Sequence, residues 1–231
     1  MHPAPERNVM VSYSRDEQRT LPRPHLARTI VPLTYEDLDG AAALFAYTFD
    51  ENPFLRRLFA LAKCGYRVAL REFFYFTCEK RGRTGGFHLG CRAGARLLGG
   101  AGLTPPEFVP WPHSLAARYE RFRASIGPDA ASEYERFITL VNRHRPVRPH
   151  HTLEVIGIRP QARGQGHGRA LLDAIHARAE AHPTSTGVYA ETTSVQAVAL
   201  YEHFGYRVVG WEPFDEQDIW CLFRPNGRGR R

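Results

Sequence analysis

Three glycines at alternate positions, Gly164, Gly166 and Gly168, interrupt the run Ile158-Arg-Pro-Gln-Ala-Arg-Gly-Gln-Gly-His-Gly-Arg-Ala-Leu-Leu172. Glycine adopts positive φ at no steric cost and lets a ligand approach the main chain. The residues before this loop read as a strand and those after it as an amphipathic helix. The first N–H groups of such a helix lack intrahelical acceptors and lie at the positive end of its dipole. The combination suits an anion, and a pyrophosphate in particular. Two phosphate-binding patterns are excluded by the residues themselves. A P-loop ends in Gly-Lys-Ser/Thr, whereas this loop ends in Gly168-Arg169-Ala170. A dinucleotide fingerprint needs GxGxxG, whereas the spacing here is GxGxG, although Glu191 superficially imitates its acidic residue. A glycine-rich turn that holds no ligand is the plain structural alternative.

The elements that position the loop follow from hydrophobic periodicity. Thr152-Leu-Glu-Val-Ile-Gly-Ile158 reads as a strand, and residues 164–181 as a loop leading into a helix. Gly187-Val-Tyr-Ala-Glu191 is a second strand, residues 196–204 a second helix, and Tyr206-Arg-Val-Val209 a third strand. Ile219-Trp-Cys-Leu-Phe223 is the last. A strand–helix–strand unit of this kind requires a parallel pair joined by a crossover. Upstream, Arg28-Thr-Ile-Val-Pro-Leu33 has the content of a short strand, and Thr34 can cap a helix whose first turn holds Glu36 and Asp37. That helix breaks at Asn52-Pro53, because a residue before proline disfavours the helical region. Residues 50–53 are therefore a loop, and residues 54–78 read as helical again. Two strands, 85–91 and 96–103, flank the turn Arg92-Ala-Gly-Ala95. After a proline-rich stretch, residues 115–122 and 130–141 carry helical spacing, which predicts a helical insertion over 113–145.

The 231 residues suit one sizeable domain, and no repeat or low-complexity linker divides them. Residues 28–224 hold that domain. Residues 1–27, rich in Pro, His and Arg, read as a disordered segment, and residues 225–231 as a basic flexible tail. The longest apolar run, 41–49, is too short for a hydrocarbon layer of about 30 Å. With no apolar signal core near the start, a cytoplasmic protein that does not engage a membrane is expected. Cys64, Cys78, Cys91 and Cys221 form no CxxC pair and do not cluster with histidine, so free thiols and no metal are expected. The net charge is +7, and every basic residue except Lys63 and Lys80 is arginine. The arginines are scattered and show no interleaved aromatic stripe, which argues against nucleic acid as a partner. Their general field would still help to collect a polyphosphate. A monomer or a homodimer is compatible with the sequence.

Gln161-Ala-Arg-Gly164-Gln-Gly166 resembles the Q/R-x-x-G-x-G/A signature of the GNAT N-acetyltransferases, with Pro160 before it and Gly168-Arg-Ala-Leu-Leu172 after it. Downstream, Ala197-Val-Ala-Leu-Tyr201-Glu-His-Phe-Gly205-Tyr206 resembles the family's A-x-x-L-Y-E-x-x-G-F segment, with Tyr206 in place of Phe. Within the family the chain is most similar to the puromycin N-acetyltransferase branch. That similarity rests on His144-Arg-Pro146, the preceding helical insertion, Glu191-Thr-Thr193 and Trp220-Cys221.

The resemblance implies a single α/β (α+β) domain whose mixed central sheet is splayed between two parallel strands. It implies acetyl-CoA as co-substrate, and direct attack by a primary amine in a ternary complex. The acceptor would be a small molecule such as an antibiotic or another secondary metabolite. The acetyl and pantetheine arm would run along Ile156, Gly157 and Ile158, with Gly157 suited to the bulge that splays the strands. Arg163, Gly164, Gln165, Gly166, His167, Gly168 and Arg169 would cradle the pyrophosphate. Ser194, where many members carry Asn, would contact the cofactor. Tyr201 takes the position of the general acid that protonates the CoA thiolate. For the base, Glu191 is the first candidate and Glu154 the second. His151 has a suitable ordinary pKa, but at the start of a strand a solvent-exposed role is equally open. Acceptor selection is expected from residues 50–53 and from Tyr119, Phe122, Tyr134 and Phe137. Two other readings stay open: a catalytically silent CoA-binding or sensor domain, and a transferase acting on protein or polyamine amines.

Overall fold

The alternating strand and helix signals assemble into one mixed seven-stranded sheet in the computed structural model, which describes residues 28–227. In chain order the elements are β1 (Arg28–Leu33), α1 (Leu38–Thr48), α2 (Pro53–Leu58), α3 (Tyr66–Arg83), β2 (Phe87–Ala93) and β3 (Arg96–Thr104). There follow α4 (His113–Ile126), α5 (Pro128–Asn142), β4 (His151–Ile158), α6 (His167–Ala181), β5 (Gly187–Thr192), α7 (Val195–His203), β6 (Arg207–Phe214) and β7 (Gln217–Pro225). The sheet order is β1-β2-β3-β4-β5-β7-β6, with β4 and β5 parallel and the other pairs antiparallel. The strand–helix–strand crossover through α6 thus gives the parallel pair its spacing predicts. The segment 1–27 and the last residues of the tail lie outside the described residues. Among the described residues no helix is long and apolar enough to cross a membrane.

Local chemistry explains several element ends. Asn52 caps α2 by accepting from the Leu55 N–H at 2.9 Å, and Pro53 occupies the first turn, where its missing N–H costs nothing. At Thr34 the helix begins with a 3-10 turn, Tyr35–Asp37, in which the Thr34 N–H donates to the Asp37 carboxylate at 2.9 Å. The helical reading of residues 54–78 as one stretch needs correction. The chain leaves α2 at Phe59 and re-enters helix only after Gly65, whose φ of 81° a helix interior does not admit. Periodicity hid the break because both helices bury their apolar residues, Phe54, Leu58, Leu70 and Phe74, in the same core.

Two cores flank the sheet. One lies under α1 to α5 and includes Leu44, Phe45, Phe76, Phe122, Tyr189 and Phe214. The other lies under α6 and α7 and includes Leu103, Leu153, Leu171, Ile175, Tyr201 and Tyr206. Tyr206 belongs to this second core rather than to the strand after it: β6 begins at Arg207, and the Tyr206 hydroxyl meets His176 Nε2 at 3.1 Å.

β4 crosses from one core to the other, and a bulge makes it do so. Leu103 pairs with Leu153 while the adjacent Gly102 pairs with Val155, which leaves Glu154 as an extra residue. Two residues apart on a regular strand share a face. Here Leu153 enters the α6 core and Val155 the α1–α5 core. The bulge therefore sits at Glu154, not at Gly157, which pairs regularly with Gly100. Gly157 is needed for close packing instead: a Cβ there would come within 2.9 Å of Thr48 Cγ2 and 3.2 Å of Phe49 Cε2.

Candidate active site

Parallel pairing of β4 and β5 covers only His151, Thr152 and Leu153 against Val188, Tyr189 and Ala190. Beyond that point the strands separate, and the gap opens into a cavity of about 1160 Å³. Small-molecule sites commonly enclose roughly 300–1,000 Å³, so this one lies just beyond the large end of that range. The edge of β4 along the gap offers backbone groups. Arg159 N–H bonds Leu98 O on the β3 side at 2.9 Å, so strand alternation turns the polar groups of Ile156 and Ile158 toward the gap. The Arg163 Nε–H reaches Ile158 O from that side at 3.3 Å.

At one end of the cavity lies the glycine loop. Gly164 and Gly166 have φ of 73° and 80°, which any other residue adopts only under strain. Gly166 caps α6, and among the described residues the first backbone N–H of the helix to find an acceptor is that of Ala170, bonded to Gly166 O at 3.1 Å. The preceding N–H groups, from Gly164 to Arg169, find no acceptor among the described residues. Arg163, Gly166, Gly168 and Arg169 line the cavity, and the Arg169 guanidinium lies 5.1 Å from the Phe204 ring centroid. Gln165 and His167 belong to the loop through their backbone. The His167 ring turns inward, 3.4 Å from Cys91 Sγ, and burial lowers its pKa. Gln161 is tied to the Tyr47 hydroxyl at 2.6 Å.

Tyr201 stands on α7 at the boundary of the α6 core, 7% exposed, and lines the cavity. Its hydroxyl has no hydrogen-bond partner among the described residues. Burial, reinforced by the negative charge of Glu191, raises the phenol pKa well above 10.0 and keeps it protonated. Ser194 also lines the cavity, but its hydroxyl is engaged as the N-cap of α7. It accepts from the Ala197 N–H at 3.3 Å and donates to Gln196 Oε1 at 3.0 Å.

The two glutamates differ sharply. Glu154, thrown out by the bulge, takes Lys80 Nζ at 3.1 Å, Arg81 Nη1 at 2.7 Å and the Thr104 hydroxyl at 2.7 Å. Burial alone would raise its pKa, but Lys80, Arg81 and these hydrogen bonds hold it well below the carboxylate range. Arg81 is itself fully buried, and its Nε–H donates to His88 Nε2 at 3.0 Å. Burial, helped by that guanidinium, pushes His88 down to about 3. Glu191, on β5 across the gap, has a covered Oε2 with no partner. Burial raises its pKa to about 7, against the pull of Arg145 and with a further push from Glu154.

Tyr134, Phe137 and Ile138 of α5, Phe54 and Leu55 of α2, and Phe73 and Phe74 of α3 supply an apolar wall of the lining, in which Tyr134 is near enough to Glu191 to feel its charge. Phe54 and Phe137 lie 4.8 Å apart between ring centroids. Of the expected acceptor aromatics, Tyr119 and Phe122 are not on this wall; Phe122 is stacked on Phe76 at 5.5 Å inside the core. Glu51 lines the mouth but pairs with Arg56 at 2.5 Å. His151 is buried rather than exposed, bonded to Ser185 Oγ at 2.9 Å, and lies outside the cavity lining. Burial, with the nearby His182, lowers its pKa to about 4. Among the described residues no group of His, Cys, Asp and Glu could hold a metal ion.

Sequence reasoning missed Lys80, Arg81 and Arg145. A signal for Arg81 existed, since it follows Phe74 and Cys78 on the buried stripe of α3. Arg145 lies in the motif His144-Arg-Pro146, yet nothing local distinguishes it from the many other arginines.

Residues 132–208 match the model of the acetyltransferase (GNAT) domain family. The fold is that of GNAT acetyltransferases. A structure described as histone acetyltransferase HPA2 and related acetyltransferase, from Corynebacterium glutamicum, aligns with a TM-score of 0.66 at 23% identity, covering 88% of this chain and 99% of the other. The C-terminal condensation domain of Ebony in complex with β-alanyl-dopamine aligns at 0.63 and 13% identity, covering 87% and 99%. A polyamine N-acetyltransferase of Drosophila melanogaster aligns at 0.55 and 14% identity, covering 85% and 98%. No curated protein matches the chain in sequence. The GNAT-like fold accounts for the splay between β4 and β5, while the residues within the gap are this chain's own.

Proposed function

We propose that the chain is an N-acetyltransferase that moves the acetyl group of acetyl-CoA to a primary amine of a small molecule. One observation carries this reading. A carboxyl poised near neutrality, Glu191, and a phenol, Tyr201, neither with a hydrogen-bond partner among the described residues, border one cavity that begins at the glycine loop. The similarity to the puromycin-type branch favours an antibiotic or another secondary metabolite as acceptor.

The residues present fit the co-substrate. The N–H groups from Gly164 to Arg169, with Arg163 and Arg169, suit its pyrophosphate, and the gap-facing groups of Ile156 and Ile158 suit an extended amide-bearing arm. When bound, acetyl-CoA supplies an activated thioester. An ammonium acceptor must shed one proton before its nitrogen can attack and a second as the C–N bond forms and the C–S bond breaks. Glu191 takes the first, in line with a pKa near the working pH. The second ends on the departing sulfur, beside which Tyr201 donates. A phenol with a raised pKa gives up its proton reluctantly to a thiolate whose reference is about 8.5. Its main contribution is therefore a preorganised hydrogen bond to the developing charge. Glu154, neutralised by Lys80 and Arg81, fixes the bulge that opens the strands rather than acting as a base. Ser194 serves as a helix cap.

The test is thiol release from acetyl-CoA with a panel of amines, with mass spectrometry of the products. Amine-dependent thiol release with a matching acetylated product is expected. CoA binding without turnover for any amine would instead identify a silent binding domain.

A further inference from the structure

Two oppositely charged side chains on the acceptor side of the cavity lack partners among the described residues. Glu191 keeps an unbonded, covered Oε2. Arg145, on the segment between α5 and β4, lines the cavity with its guanidinium 5.7 Å from the Tyr189 ring centroid. Its Nε is covered and unbonded, and the guanidinium forms no ion pair among the described residues. Tyr189 and Glu191 alternate along β5 and so project from the same face of the sheet. Arg145 is therefore a neighbour of Glu191. Its charge is felt at the carboxyl, yet no hydrogen bond joins the two. The other cations deep in the cavity, Lys80 and Arg81, are already committed to Glu154.

A guanidinium drawn partly out of water without an anion pays a desolvation cost that a bound carboxylate would offset, through two parallel hydrogen bonds. A carboxyl and a guanidinium close together but unbonded leave a gap between them that accepts a group of both signs. Tyr134 of α5 feels the Glu191 charge, the carbonyl of Val141 near the end of α5 accepts from the Tyr189 hydroxyl, and Phe54, Phe137 and Ile138 line the same cavity. We propose that Arg145 binds a carboxylate of the acceptor, which is then an amino-acid-like molecule with its amine at Glu191, its carboxylate at Arg145 and an aromatic or branched apolar body on the α2–α5 wall. This assignment rests on the acetyl-transfer reading. It adds a specificity residue to it: Arg145 orients the acceptor, while the bond making and proton movements remain those given above.

Phenylalanine, phenylalaninamide and phenethylamine share an amine and an aromatic body, and only the first carries a carboxylate. Their binding to the CoA-saturated protein is measured by calorimetry, and their acetylation by product mass. The wild type is expected to bind phenylalanine at least about tenfold more tightly than either neutral analogue, as for a desolvated charge pair. Arg145→Gln should abolish that preference while leaving CoA affinity and melting temperature within error. Arg145→Lys should restore part of it, because the charge returns without the planar fork. Comparing acceptors within one variant removes any effect of Arg145 on Glu191, which all three amines share. Equal or weaker binding of phenylalanine to the wild type, or an equal loss for all three amines in Arg145→Gln, would overturn the assignment. Carboxylate-selective binding with no acetylated product from any amine would sustain Arg145 as an anion site and refute acetyl transfer. Acetylation of phenethylamine and phenylalaninamide without preference for phenylalanine would do the reverse.

Discussion

The two ends of the cavity are built by different means. At the α6 end the binding groups are backbone N–H, held by two left-handed glycines and one helix start within a few consecutive residues. At the α5 end the polar groups are side chains: Lys80 and Arg81 from α3 and Thr104 from β3, all bonded to Glu154 of β4, and then Glu191 from β5 and Arg145 from a connecting loop. On the proposed reading the first end takes the pyrophosphate common to all such reactions, chiefly through main chain, with Arg163 and Arg169 beside it. On the same reading the second distinguishes one amine from another, and its charges are arranged across more than a hundred residues of chain. A common ligand can be held by main chain, whereas a chosen one needs side chains that only folding assembles.

Removing Glu154 should disturb this contrast most. Glu154→Ala leaves Arg81 buried without its anion, and a broken buried pair typically costs about 3–5 kcal/mol. Denaturant unfolding should show that loss for the whole domain. A variant of unchanged stability that lost only its acidic pH limb would restore Glu154 as the base and erase the difference between the two glutamates.

Tyr201→Phe should lower turnover by about 100-fold, the lower range for positioned acid–base groups, with acetyl-CoA affinity unchanged. Equal turnover with chemistry rate-limiting would remove Tyr201 from the site. Glu191→Gln probes the opposite face. Activity of the wild type should rise with pH through about 7 as the carboxyl ionises, and the variant should lose that limb. Stability should run the other way. A carboxyl whose folded pKa is raised favours the native state below its ordinary 4.5, and that contribution fades as pH climbs through about 7. Melting curves should therefore show Glu191→Gln gaining on the wild type above neutrality.

At the backbone end the effects are smaller. Gly166→Ala forces a side chain into a left-handed position, at a cost of about 1–2 kcal/mol. Weaker acetyl-CoA binding with unaltered acceptor preference is expected; a changed acceptor preference would show that the two ends are coupled. Smallest is Ser194→Ala, which removes a helix cap worth about 1 kcal/mol. A lower melting temperature with unchanged CoA affinity is expected, and a large affinity loss would make Ser194 a cofactor contact after all.

The sheet and its crossover were legible because period-two and helical patterns survive in short segments, as in β4, α6, β5 and α7. The bulge was not. Val155 and Ile156 are both apolar, so a slip of one residue at Glu154 leaves no mark in the pattern. Glycine at position 157 drew attention to itself, yet its lack of a side chain serves the packing of Thr48 and Phe49. His151 read equally as a base of ordinary pKa or a solvent-exposed residue, because its partners Ser185 and His182 lie far along the chain.

By itself the sequence determined the glycine loop, the helix that follows it and the parallel pair around them. Positive φ, unpaired helix-start N–H groups and strand alternation are properties of neighbouring residues, so neighbours suffice to reveal them. Only the tertiary structure decided which carboxylate is free. Glu154 and Glu191 occupy similar strands, and what separates them is whether cations from α3 reach them. Charge at a buried site is set by what surrounds it in space, and Coulomb forces and desolvation take no account of distance along the chain.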